Sequence, residues 1–255
     1  MPTLAALRRA VPGFGACGEC RYASSGPAAL CFACAHQTME HLAPRNERCP
    51  ICGLPFQAGE DCCRNPLCHH SDRQFGWNYA IAMRSGQLQR AINRYKFLDR
   101  WGWALVFGRV LAGFLEQEAS TFRRFDLIVA SPTYVGPDGR TFDHTRLVLK
   151  RAAAEVMPGQ PWPFDVGGEP AIVKTAPNRP LHGKTWLERW AIARDEIRPA
   201  LSVPDPNRIA GRSILVYDDV FTDGITLNEV ARALRTQGGA AEVCGVTLCR
   251  QPWRG

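Results

Sequence analysis

Long apolar runs are what this 255-residue chain most plainly lacks. Its longest, WGWALVFGRVLAGFL, is broken by Arg109 and falls short of the roughly 20 residues a membrane span needs. At the N-terminus, MPTLAALRRAVPGF puts Arg8 and Arg9 where a secretory signal needs its apolar stretch. No membrane insertion is therefore expected, and a cytoplasmic location is. The chain has no G-x4-GK[ST] phosphate loop, no low-complexity tract and no internal repeat beyond a doubled cysteine pattern. Cysteine is nearly missing from the C-terminal part: of eleven, nine precede residue 70, leaving Cys244 and Cys249 as expected core residues. That lopsided placement, in C-x2-C pairs, speaks for a reducing compartment and metal rather than for disulfides.

What remains is ordinary for a soluble protein: 45% hydrophobic and 22% charged residues, enough for a sizeable core. The formal charge of +7 invites a nucleic-acid reading. Two four-thiolate zinc sites, each with a net charge of −2, would reduce it to roughly +3, so basicity alone is weak evidence for such a partner. Composition divides the chain near residue 72. Residues 1–72 are rich in Cys, Pro and Gly and need staples to fold; residues 73–255 carry α/β patterning.

Cys17-x2-Cys20 and Cys31-x2-Cys34, ten residues apart, have zinc-ribbon spacing. A second set opens with Cys49 and Cys52 and closes among Cys62, Cys63 and Cys68; Cys63 and Cys68 are the expected ligands, with Cys62 the substitute. Two structural Zn2+ sites follow from this reading. A thioredoxin-like redox role for the pairs is the less favoured alternative, since the matching βαβ context is missing.

Further on, residues 87–118 have helical spacing as one long or broken helix, and DLIVASP reads as a short buried strand ending in a turn. HTRLVLKRAAAEV is an amphipathic helix, and Ala171–Lys174 a possible strand. Strand 213–217, helix 226–237 and strand 241–249 make a βαβ unit, hence a parallel sheet. Between that unit's first strand and its helix stand Asp218 and Asp219, then Val220-Phe221-Thr222-Asp223-Gly224-Ile225-Thr226. In open parallel sheets ligands bind beyond the carboxyl ends of the strands. A helix start there offers unpaired amides and partial positive charge to a phosphate, Thr222 and Thr226 add hydroxyls, and Gly224 permits a positive φ. Two adjacent acceptors upstream suit the hydroxyls of a ribose 5-phosphate. The competing views are that the acids merely cap a strand end, or that they form the acidic pocket of a receiver domain, which would also need a separate acid after another strand and a later Lys.

The acidic run resembles the phosphoribosyl pyrophosphate (PRPP) loop of type I phosphoribosyltransferases, with Asp223 standing where many relatives carry a second Thr. With the doubled cysteine set the likeness extends over nearly the whole chain and is to the ComF/GntX family. CPICGLPF resembles its second zinc knuckle, INRYKF its helical motif between ribbon and domain, GRTFDHTRLVLKRAA its helix start after the first strand, and KTAPN its Thr-x-Pro-Gln turn. The resemblance implies a phosphoribosyltransferase-like parallel sheet flanked by helices, preceded by a double zinc ribbon. It implies PRPP with Mg2+ as ligand, Asp218 and Asp219 on the ribose diol, the 222–226 backbone on the 5-phosphate, and the turn Ser131-Pro132-Thr133 near the pyrophosphate. That turn holds no cation, so Arg140, Arg146 or a basic segment with Arg179, Lys184 and Arg189 would have to provide one. Three functions follow: transfer of phosphoribosyl to an acceptor, PRPP binding without catalysis, or an adaptor in DNA uptake contacting single-stranded DNA or a competence protein. Basic residues Arg84, Arg90, Arg94, Lys96 and Arg100 bear on the last. His144 is expected to be bonded locally rather than to act as a base, and Trp186 and Trp190 to pack rather than to stack on a base.

Overall fold

The computed structural model describes residues 39–60, 62–98, 100–155 and 161–252. The expected first ribbon, with Cys17, Cys20, Cys31 and Cys34, lies outside them. Strand β1 (Asn78–Met83) leads into α1 (Gly86–Phe97), α2 (Trp103–Gln117) and the short α3 (Ala119–Phe122). The periodic stretch around residues 87–118 is thus a broken pair of helices. β2 (Leu127–Ala130) is followed by α4 (His144–Glu155) and β3 (Val173–Lys174). Helix α5 (Trp186–Ile192) then runs into a π-helical turn, Ala193–Ile197, before β4 (Leu201–Ser202). The closing unit is β5 (Ser213–Phe221), α6 (Ile225–Thr236) and β6 (Glu242–Arg250).

Four strands form a parallel sheet in the order β1-β6-β5-β2, while β3 and β4 pair antiparallel apart from it. β1 escaped the sequence reading because Asn-Tyr-Ala-Ile-Ala-Met has a single β-branched residue, Ile81, and is nearly all buried, so no alternation marks it.

Alternation along the strands sends side chains into two cores. One face takes Ile128, Leu215, Tyr217, Val246 and Leu248 together with α1, α2 and α4. The other takes Val129, Ile214, Val216 and Val243 with α6. Cys49, Cys52, Leu54, Cys63, Leu67 and Cys68 belong to this second core. The compositional boundary at residue 72 is therefore not a boundary in packing for residues 49–68.

This arrangement positions the site. The helices following neighbouring strands β2 and β5, α4 and α6, cover opposite faces of the sheet. Their carboxyl ends consequently flank a topological switch point, where open α/β sheets leave a crevice. β5 also outruns its neighbour: its last partner in β2 pairs Ala130 with Tyr217, whereas pairing with β6 continues to Phe221 and Arg250. Asp218 and Asp219 are thus strand residues with one open flank, not members of a turn that begins after Tyr217.

Candidate ligand site and cysteine centre

Successive strand positions point to opposite sides, and the two acids meet different surroundings. Asp219 is buried, with Lys96 Nζ 2.7 Å from Oδ2 and 3.0 Å from Oδ1. His144 Nε2 lies 3.3 Å from the same Oδ2. Burial alone would raise this carboxyl, but Lys96 and His144 outweigh it and hold Asp219 well below the usual carboxylate range. Asp218 forms no ion pair among the described residues; its Oδ1 accepts the Asp219 amide at 2.8 Å. Burial and the neighbouring Asp219 charge raise the Asp218 carboxyl to about 7. Like charges are tolerated here because one is neutralised by a lysine and the other is half protonated near neutrality. Of the two expected diol acceptors, only Asp218 is left without a cationic partner.

The β2 end closes in from the side. The Ser131 amide donates to Tyr217 O at 2.8 Å, and the Thr145 hydroxyl donates to Ser131 O at 2.6 Å. Thr133 Oγ1 sits 3.1 Å from His144 Nδ1, so His144 bridges the β2 turn to Asp219 rather than bonding only within its own helix. Its pKa is lowered by burial, which Asp219 opposes. Pro132 and Thr133 remain half-buried beside this contact.

On the far side of the acids the chain turns through Thr222-Asp223-Gly224. Gly224 has φ +91°, and a Cβ there would lie 2.6 Å from Phe221 Cζ, so both backbone and packing demand glycine. Asp223 Oδ1 accepts the Ile225 amide at 3.1 Å, and its Oδ2 pairs with Arg189 Nη1 at 2.7 Å. The carboxylate thereby occupies one amide of the helix start, and the segment carrying Arg189 reaches it. Thr222 and Thr226 stay half-exposed, while Val220 and Phe221 are strand residues and Ile225 is core.

Among the expected cations, Arg140 reaches the end of α1, donating to Lys96 O at 2.8 Å with its guanidinium 5.1 Å from the Phe97 ring, and its charge helps to lower the His144 pKa. Lys174, placed by the sequence in a strand and in the KTAPN motif but not among the candidate cations, is half-buried with its pKa lowered by burial and by Arg140. Lys184 is a surface charge 3.8 Å from Glu188, Arg179 pairs with Glu196, and Arg146 donates to Gly168 O; none of the three is brought to the acids. Lys96 was legible only as one of five clustered basic residues and as part of the INRYKF motif. Its contact with Asp219 spans 123 residues and has no spacing signature. Arg84 also turns inward, to Asn93 and Gln251, leaving Arg90, Arg94 and Arg100 exposed.

Helix α5 starts with a capping box: Thr185 Oγ1 accepts the Glu188 amide and Glu188 Oε2 accepts the Thr185 amide. It directs Trp186 and Trp190 into a stack 5.2 Å apart, with the His70 ring 4.7 Å from Trp190. Those tryptophans pack on the cysteine-bearing segment, as expected of packing residues.

That segment gathers Cys49, Cys52, Cys63 and Cys68, whose sulfurs all lie within 4.8 Å of one another. Cys52 and Cys63 Sγ are 3.5 Å apart, Cys49 and Cys68 3.8 Å. Tetrahedral coordination at about 2.3 Å requires sulfurs about 3.8 Å apart, so the cluster fits zinc. The amides of Ile51 and Asn65 point at Cys49 and Cys63 Sγ, each at 3.4 Å, as donors to thiolates do. Cys62 is exposed and outside the cluster, which selects Cys63 as the ligand.

No family model matches this chain, and no curated protein matches it. Among the described residues, no helix is long and apolar enough to cross a membrane.

Proposed function

We propose that this chain is a ComF/GntX-type, phosphoribosyltransferase-like protein that binds PRPP with Mg2+ in the crevice beyond β2 and β5. The observation carrying this reading is the placement of Asp218, the acid without a cationic partner, at a topological switch point four residues before the Thr222–Thr226 helix start. In this reading Asp218 accepts the ribose hydroxyls. Thr222, Thr226 and the helix start hold the 5-phosphate, with Arg189 neutralising Asp223 so that its charge does not repel the ligand. Arg140 and Lys174 supply the cations that the Ser131–Thr133 turn lacks. Mg2+ would neutralise the pyrophosphate as leaving group; the residues named here bind and orient the sugar. Zinc in the Cys49–Cys52–Cys63–Cys68 cluster is structural.

Calorimetry with PRPP and Mg2+ tests the binding, with Asp218→Asn as the control. Binding to the parent chain that weakens at least tenfold in the variant is expected, and equal affinity overturns the assignment. Pyrophosphate release with a panel of bases separates phosphoribosyl transfer from binding alone.

One observation favours a second reading, an adaptor for single-stranded DNA. Phe97, Leu98 and Trp101 are exposed at 67%, 64% and 57%, beside exposed Arg94 and Arg100. Aromatic rings among arginines are the ingredients of a stacking platform for bases. Salt-dependent DNA binding lost in Phe97→Ala/Trp101→Ala but kept in Asp218→Asn would select it.

A further inference from the structure

The cysteine cluster and the acidic turn are neighbours, and the contacts between them are buried. Asn65, two residues after Cys63, donates through Nδ2 to Asp223 O at 2.9 Å. Leu67, just before Cys68, is fully buried, and its Cδ2 lies 3.2 Å from where a Gly224 Cβ would stand.

Arg250 completes the connection from the last residue of β6. Its guanidinium, 0% exposed, donates through Nη1 to Phe221 O at 3.3 Å and to Thr222 O. Nη2 points at Cys52 Sγ, 3.9 Å away, and the group lies 5.1 Å over the Phe221 ring. No carboxylate among the described residues pairs with Arg250. A buried cation needs a compensating charge. A four-thiolate zinc centre, with its net charge of −2, supplies one on the Cys52 side.

From these contacts we infer that Arg250 is a positioning residue which, with Asn65, makes the shape of the 222–224 turn depend on the metal-loaded cysteine centre. The centre then does more than staple its own segment: it sets the backbone on which the proposed phosphate site is built. Metal affinity and ligand affinity are linked, and by reciprocity the ligand must retain the metal. The ligand half of this inference rests on the PRPP reading; the structural half does not.

Hydrogen exchange of the metal-loaded protein tests the structural half directly. Arg250→Met, at unchanged zinc content, is expected to speed exchange in peptides covering 222–226 by about tenfold while those of α4 keep the parent rate. Equal exchange at 222–226, or equal acceleration in α4, overturns the inference. Metal removal by chelator is expected to produce the same local pattern; if it unfolds the chain throughout, the Arg250→Met comparison decides alone. In the ligand arm, saturating PRPP with Mg2+ is expected to slow zinc loss to chelator at least threefold in the parent chain and not in Arg250→Met. A parent chain that binds PRPP without slower zinc loss refutes the linkage. A chain that binds no PRPP refutes the ligand assignment instead and leaves the exchange result to judge the clamp.

Discussion

Replacing Lys96 by methionine removes the cation from the most consequential ion pair of the site. Lys96 Nζ stands 2.7 Å from Asp219 Oδ2, and the two side chains are 18% and 5% exposed. Stripping one partner from a buried pair costs about 3–5 kcal/mol. The partial exposure of Lys96, and His144 only 3.3 Å from the same oxygen, place Lys96→Met near the lower end, about 3 kcal/mol. That figure is expected to depend on pH in a definite direction. In the parent chain His144 has a pKa below its ordinary 6.5, so its contribution destabilises the fold as pH falls from 6.5 through the folded value. Without Lys96, Asp219 has only His144 to neutralise it, and the imidazole is expected to titrate above 6.5. Its contribution then stabilises below the unfolded pKa and is lost as pH rises through the folded one.

Asp218 adds in the same sense. Its carboxyl, raised to about 7, costs stability as pH rises from the unfolded value through 7, and removing Lys96 raises it further. The penalty of Lys96→Met is therefore expected to be about 3 kcal/mol at pH 8 and to shrink by about 1–2 kcal/mol at pH 5.5. Urea denaturation of both chains across that range measures it, and the His144 ring resonances report the pKa. A penalty that does not vary with pH, or a His144 titration unmoved by the substitution, would refute the reasoning.

Gly224→Ala combines a left-handed backbone with a 2.6 Å clash against Phe221, and a loss of about 2–4 kcal/mol by urea denaturation is expected. Cys63→Ser is expected to lower bound zinc by one atom per chain, while Cys62→Ser keeps the parent content; elemental analysis of both distinguishes them. Under the proposed function, PRPP affinity is expected to rise with pH through about 7 as Asp218 ionises, and a profile that stays level in the parent as in Asp218→Asn contradicts the role given to that acid.

The local patterns are legible in the sequence itself. Helical spacing in 226–237 and in 144–156, and the apolar runs at 127–130 and 213–217, reflect periodicities that the backbone imposes within a few residues. The C-x2-C knuckle is equally local, and it led to the four sulfurs that come together. Where β5 ends was not legible, because two adjacent aspartates look like the start of a turn. Pairing with β6 carries the strand through them, and Lys96 makes the burial of Asp219 tolerable. The choice of Cys63 over Cys62 was open to spacing alone and is settled by which sulfur faces the other three.

By itself, then, the sequence determined the main helices, the parallel βαβ unit and the cysteine knuckle, since each is written in residues close together along the chain. Tertiary structure alone decided which acid keeps a cation, and that the knuckle shares a core with α6 and meets Arg250, which donates to the Phe221 and Thr222 carbonyls. Lys96 and Asp219, or Cys52 and Arg250, lie 123 and 198 residues apart. Nothing in local spacing distinguishes such partners from other basic or thiol side chains; only the packing of the two sheet faces brings them within reach.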